Sequence, residues 1–110
     1  MKYGLSERTL AKITQVLAAF PEIEKAVLYG SRAKGNYRPG SDIDLTLFGG
    51  ELNQQRCAII AEALDDLLLP YTIDLSVYDQ LRHSALQAHI DRVGQLFYQR
   101  KDREQNNQSC

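Results

Sequence analysis

No apolar run in this sequence is long enough to span a bilayer, and no apolar stretch of signal-peptide type opens it. A membrane role is therefore not expected, and the chain is expected to be cytoplasmic. An excess of either charge is also missing: 13 lysines and arginines stand against 14 aspartates and glutamates, a formal net charge of −1. Proteins that bind duplex nucleic acid usually carry a basic surplus. Duplex binding is thus not expected, and any phosphate recognition should be confined to a pocket. Cysteine is scarce. Cys57 and Cys110 lie far apart and form no CxxC pair, so they read as one buried thiol and one free thiol in a tail.

What is present suffices for one domain. The 110 residues can bury a single core, with residues 1–98 forming the domain and 99–110 a polar tail expected to be disordered. Ser6 has the form of a helix N-cap, with Leu5 and Leu10 placed as a hydrophobic staple. Leu10, Ile13, Val16, Leu17 and Phe20 recur at helical spacing until Pro21, which predicts a helix over residues 6–19. Lys25 to Tyr29 reads as a short apolar strand. Asp42 to Phe48 alternates strictly, with Ile43, Leu45 and Leu47 on one face and Asp42, Asp44, Thr46 and Phe48 on the other. Asn53 to Leu69 predicts an amphipathic helix ended by Pro70. Tyr71 to Tyr78 predicts a third strand, residues 79–92 a last helix, and Leu96 to Tyr98 a short edge strand. The fold class is α/β (α+β): a small mixed sheet with helices packed on one face.

The stretch from Leu28 to Phe48, LYGSRAKGNYRPGSDIDLTLF, carries the chemistry. Asp42 and Asp44 are two apart on a strand, so their carboxylates leave the same face. The later run Ile73-Asp74-Leu75-Ser76 repeats the pattern and would bring a third carboxylate, Asp74, to that face if the strands are neighbours. Like charges in one place repel unless a cation is present. Magnesium, with hard oxygen ligands and substrate phosphates, answers that need, and two such ions can clamp both oxygens of a phosphoryl displacement. Gly30 allows a phosphate close to the backbone, Ser31 offers a hydroxyl, and Arg32 and Lys34 are placed to neutralise a triphosphate. Other motif readings fail on spacing. A P-loop would need Gly-Lys-Ser/Thr, and an EF-hand loop starting at Asp42 meets Leu47 and Asn53 where glycine and glutamate belong. A metal-dependent glycosyltransferase would need a larger nucleotide-binding fold than this chain supplies.

Gly30-Ser31, ten residues, then Asp42-x-Asp44, with "GSRAKG", "GSDIDL" and a later strand aspartate, resembles the DNA polymerase β-like nucleotidyltransferase superfamily. Its smallest branch, the minimal nucleotidyltransferases, is the nearest likeness, over residues 5–98. The resemblance implies ATP as substrate, two Mg²⁺ ions and transfer of AMP to a hydroxyl. It implies Asp42 and Asp44 as metal ligands, Asp74 completing the metal site beside the acceptor, and Gly30 and Ser31 on the β- and γ-phosphates. It further implies a HEPN-domain toxin as partner in a hetero-oligomer, neutralised by AMP on a tyrosine. The alternative is a catalytically silent nucleotide-binding subunit that inhibits the HEPN partner by covering it.

Overall fold

The computed structural model describes residues 2–101. The elements follow in the order α1 (Glu7–Ala18), β1 (Lys25–Tyr29), α2 (Gly30–Lys34), β2 (Ile43–Phe48), α3 (Gln54–Asp65), β3 (Ile73–Val77), a 3₁₀ turn (Tyr78–Gln80), α4 (Ser84–Val93) and β4 (Gln95–Gln99). Two N-caps set the starts of the long helices. The Ser6 hydroxyl accepts from the Thr9 amide at 3.1 Å, and the Asn53 side chain accepts from the Arg56 amide at 2.8 Å, each satisfying a donor the helix leaves free.

Several boundaries differ from the sequence-based expectation; β3, for one, spans Ile73–Val77 and not Tyr71–Tyr78. α3 stops at Asp65, four residues short of Leu69. The amides of Leu67 and Leu68 bond three residues back, to Leu64 and Asp65, and Leu68 takes a φ of 56°. Pro70 keeps the residue before it out of helical geometry, so the chain tightens and turns before reaching it. The expected helix over 79–92 is broken as well. Leu81 is extended at ψ 134°, separating the 3₁₀ turn from α4. Finally, the tail expected to be disordered over 99–110 starts in ordered structure, since Gln99 closes β4 and the Arg100 amide donates to the Glu24 carbonyl; residues 102–110 of that expectation lie outside the described residues.

The four strands lie in the order β3-β2-β1-β4. β1 is antiparallel to both β2 and β4, whereas β2 and β3 are parallel, a pairing that needs the crossover supplied by α3. The sheet is therefore mixed. Alternation on β1 and β2 puts Ala26, Leu28, Ile43, Leu45 and Leu47 on one face, where α1 and α3 cover them with Ile13, Leu17, Ile60 and Leu64; all belong to one buried cluster. The expected one-sided helix layer holds for α1 and α3. α4 lies on the other face, with His89 edge-on to the Tyr29 ring and Tyr78 donating to Asp91 at 2.8 Å. Among the described residues no helix is long and apolar enough to cross a membrane.

Candidate active site

One row across the sheet brings the candidate residues together. Tyr29 on β1 is the register partner of Asp44 on β2, and Asp44 is the partner of Asp74 on β3. Register partners share a face, so both carboxylates project together from the side opposite the core. Asp42, two residues before Asp44 on the extended lead into β2, belongs to the same face. Asp42 and Asp74 are exposed and Asp44 is half-buried between them. The next row, Thr46 and Ser76, lies under them, with the Ser76 hydroxyl donating to Thr46 Oγ1 at 2.9 Å. Thr46 is fully buried. This polar pair and Tyr29 were not assigned a role from sequence, although strand parity puts them on the carboxylate face.

The electrostatics follow from that crowding. Burial first, then the charges of Asp74 and Asp42, push the Asp44 carboxyl up to about 6. Burial also pushes the Tyr29 phenol up; the Ser76 hydroxyl opposes this, and the charges of Asp74 and Asp44 reinforce it. The Asp44 shift has a consequence for stability without metal. The folded chain holds this proton between pH 4 and 6 while the unfolded chain has released it, so stability falls as pH rises through that window and stays low above it. With partial solvent exposure the cost at pH 7 is about 1–2 kcal/mol. Thermal unfolding in a chelator should thus give a lower Tm at pH 7 than at pH 5 from this group. Divalent cation should raise the Tm more at pH 7, and Asp44→Asn should remove most of that cation response.

Gly30 and Ser31 begin α2 against the same carboxylates. Gly30 has a φ of +76°, and a Cβ there would collide with Asp44 Oδ2. Backbone and carboxylate are in contact at this corner only because the residue lacks a side chain. Lys34, at the far end of α2, is exposed.

Arg32 is placed differently from its neighbours. It is 2% exposed. Nε and Nη2 donate to the Ser41 carbonyl at 3.1 and 2.8 Å, and Nη1 donates to the Tyr3 carbonyl at 2.9 Å. Its guanidinium lies over the rings of Tyr71 and Tyr37, 4.9 and 5.4 Å from their centroids. The expected role on phosphate is not what this placement offers, because its bonded N–H groups point into the fold. Instead Arg32 ties the N-terminal turn, the loop ending one residue before Asp42, and the entry to β3 into one unit. Nothing in the sequence distinguished a buried arginine from an exposed one in the same motif. Arg32→Ala should cost about 3 kcal/mol, since it empties the space of a buried side chain and leaves the part-buried Tyr3 and Ser41 carbonyls without donors. Arg32→Lys should recover only part of that, lacking the planar fork. Chemical denaturation of both variants checks this.

The donor set suits a hard divalent cation: carboxylate oxygens only, crowded enough to shift Asp44, with solvent on one side. Among the described residues no group of three or more His, Cys, Asp or Glu side chains is arranged to hold a metal ion, so Asp42, Asp44 and Asp74 do not form the preassembled three-carboxylate site expected from sequence. Mg²⁺ does not require one, since it normally takes one or two carboxylates and fills its shell with water and substrate phosphate. The residues present fit that mode of binding.

Comparison with known proteins bears on the family and the fold. Residues 11–103 match the family model described as Polymerase beta, Nucleotidyltransferase. No curated protein matches the chain. Among solved structures, a toxin–antitoxin crystal structure with AMP-PNP is 19% identical with a TM-score of 0.66, covering 94% of this chain and 80% of that one. A tri-AMPylated Shewanella oneidensis HEPN toxin in complex with an MNT antitoxin is 18% identical with a TM-score of 0.66, covering 96% and 79%. The MntA–HepT toxin–antitoxin complex is 18% identical with a TM-score of 0.64, covering 94% and 79%. At these identities the likeness is one of fold.

Proposed function

The chain belongs to the polymerase beta nucleotidyltransferase family, and from that premise we propose that it transfers AMP from ATP to a tyrosine hydroxyl of a HEPN-domain toxin, acting as its antitoxin. The observation that carries this reading is the in-register pair Asp44–Asp74, with Asp42 beside it and Gly30 in contact with Asp44. That the same fold occurs in toxin–antitoxin complexes, one with AMP-PNP and one with an AMPylated HEPN toxin, favours the choice of nucleotide and partner.

In this reading Asp42 and Asp44 would hold Mg²⁺ with the triphosphate, and Asp74 would complete the site on the acceptor side. Bound there, the ions supply neutralisation of phosphate charge and polarisation of the reacting oxygens. Gly30 and Ser31 hold the β- and γ-phosphates through backbone N–H groups and the Ser31 hydroxyl. Lys34, exposed at the end of α2, adds positive charge at the rim. Arg32 fixes the loop that delivers Asp42. The acceptor oxygen attacks the α-phosphorus, the bond to the bridging oxygen of the β-phosphate breaks, and pyrophosphate leaves. In this reading the exposed Asp74 carboxylate takes the hydroxyl proton.

Protection of cells tests the enzymatic reading against a steric one. Cells producing the HEPN protein should be rescued by the wild type and not by Asp42→Asn/Asp44→Asn made at the same level. Equal rescue by the double variant would mean that the chain inhibits by coverage alone.

A further inference from the structure

We infer that the open edge of β3, with the cavity beside it, docks an extended segment of the acceptor protein flanked by basic residues. This rests on the transferase reading above, and it names where on the surface the acceptor is held.

β3 is an outer strand, with β2 on one side and no strand on the other among the described residues. The Ile43 amide donates to the Thr72 carbonyl, and Asp44 pairs with Asp74. In a parallel ladder this turns the backbone of Thr72, Asp74 and Ser76 toward β2. The N–H and C=O groups of Ile73, Leu75 and Val77 therefore face outward. An unpaired strand edge is a template for another strand.

Beside that edge lies a cavity of about 360 Å³ between α3 and β3, within the size range of binding pockets. Ala58, Ala61, Leu75, Val77 and Leu81 give it apolar walls, and Gln80 contributes an amide. Gln80 Oε1 is buried with no hydrogen-bond partner, the one such side-chain atom among the described residues. Buried acceptors are ordinarily satisfied, so this oxygen calls for a donor from outside the fold. An extended peptide paired to β3 supplies both needs, an apolar side chain for the cavity and an N–H for Gln80.

Charge and position specify the occupant further. Asp74 and Asp79 are exposed at the two ends of this edge, and Glu62 and Asp65 are exposed one helical turn beyond Ala58 and Ala61. Arg82 is the basic residue next to them in sequence. Leaving aside Asp74, which the proposed metal site uses, three carboxylates against one arginine favour a segment bearing lysine or arginine at its flanks. Asp74 belongs to this same strand, so pairing along β3 delivers a nearby acceptor hydroxyl to the carboxylate row.

The test uses the full chain with its HEPN protein. Ala58→Trp fills the cavity from an exposed helical position, and Gln80→Met removes the orphan acceptor at similar length. Calorimetric titration should show at least tenfold weaker partner binding for Ala58→Trp and a smaller loss, about threefold, for Gln80→Met. The thermal shift given by Mg²⁺ with AMP-PNP should match wild type in both, which also reports that they fold. A photo-crosslinker at position 58 should capture an extended partner segment with lysine or arginine beside it. Partner binding within twofold of wild type for both variants, or crosslinks to a helix of the partner or to a second copy of this chain, would overturn the docking proposal. If instead the variants lose binding but the wild type transfers no AMP, docking stands and the transferase reading fails.

Discussion

Replacing Asp44 with asparagine should reduce AMP transfer at least a thousandfold while making the metal-free protein more stable. The two effects have one cause. Asp44 is the half-buried member of the carboxylate row, its pKa pushed up to about 6 by burial and by the charges of Asp74 and Asp42. At neutral pH without cation it is an ionised group in an unfavourable place, so asparagine, with similar shape and no charge, relieves the repulsion. The gain is about 1–2 kcal/mol, or roughly 5–10 °C in Tm for a domain of this size. The loss of activity comes from removing a ligand that the phosphoryl transfer depends on, a charge the amide cannot replace. Thermal melts in chelator and single-turnover transfer assays read the two sides. A variant less stable than wild type at pH 7, or one retaining a tenth of the activity, would contradict the account.

Gly30→Ala should be nearly as damaging to catalysis, for a steric reason. The residue sits at a φ of +76°, and an added Cβ would strike Asp44 Oδ2. The strained backbone alone costs about 1 kcal/mol. The collision must be relieved by moving either the turn or the carboxylate, and both belong to the proposed site. Gly35 provides the control. Its φ is +91°, yet nothing lies within 4 Å of the position its Cβ would take. Gly35→Ala should therefore lose stability of the same order but keep most of its activity. Gly30→Ala should lose at least a hundredfold in transfer rate. Equal activities for the two variants would show that the contact with Asp44 is not used.

Local pattern revealed the parts of the site that lie on strands. Ile43 to Phe48 and Ile73 to Val77 alternate so regularly that facing and strand identity follow from composition, and the shared Ile-Asp-Leu pattern anticipated that Asp44 and Asp74 would meet. Their exact pairing depends on the α3 crossover, which no local pattern specifies. Features set by tertiary packing were less legible. Arg32 sits in a basic motif that suggests solvent and phosphate, but the carbonyls of Tyr3 and Ser41 draw it inside. The former is 29 residues away in the chain. The break at Leu81 and the position of α4 across the carboxylate face were missed for the same reason. The edge-on contact of His89 with Tyr29 arises only once the sheet exists.

Intact-mass analysis of the HEPN protein, after incubation with this chain, ATP and Mg²⁺, tests the central claim most directly. The account predicts added mass in whole AMP units on a tyrosine-containing peptide, absent with Asp42→Asn/Asp44→Asn or with chelator. An unmodified partner, or equal modification by the double variant, would contradict it.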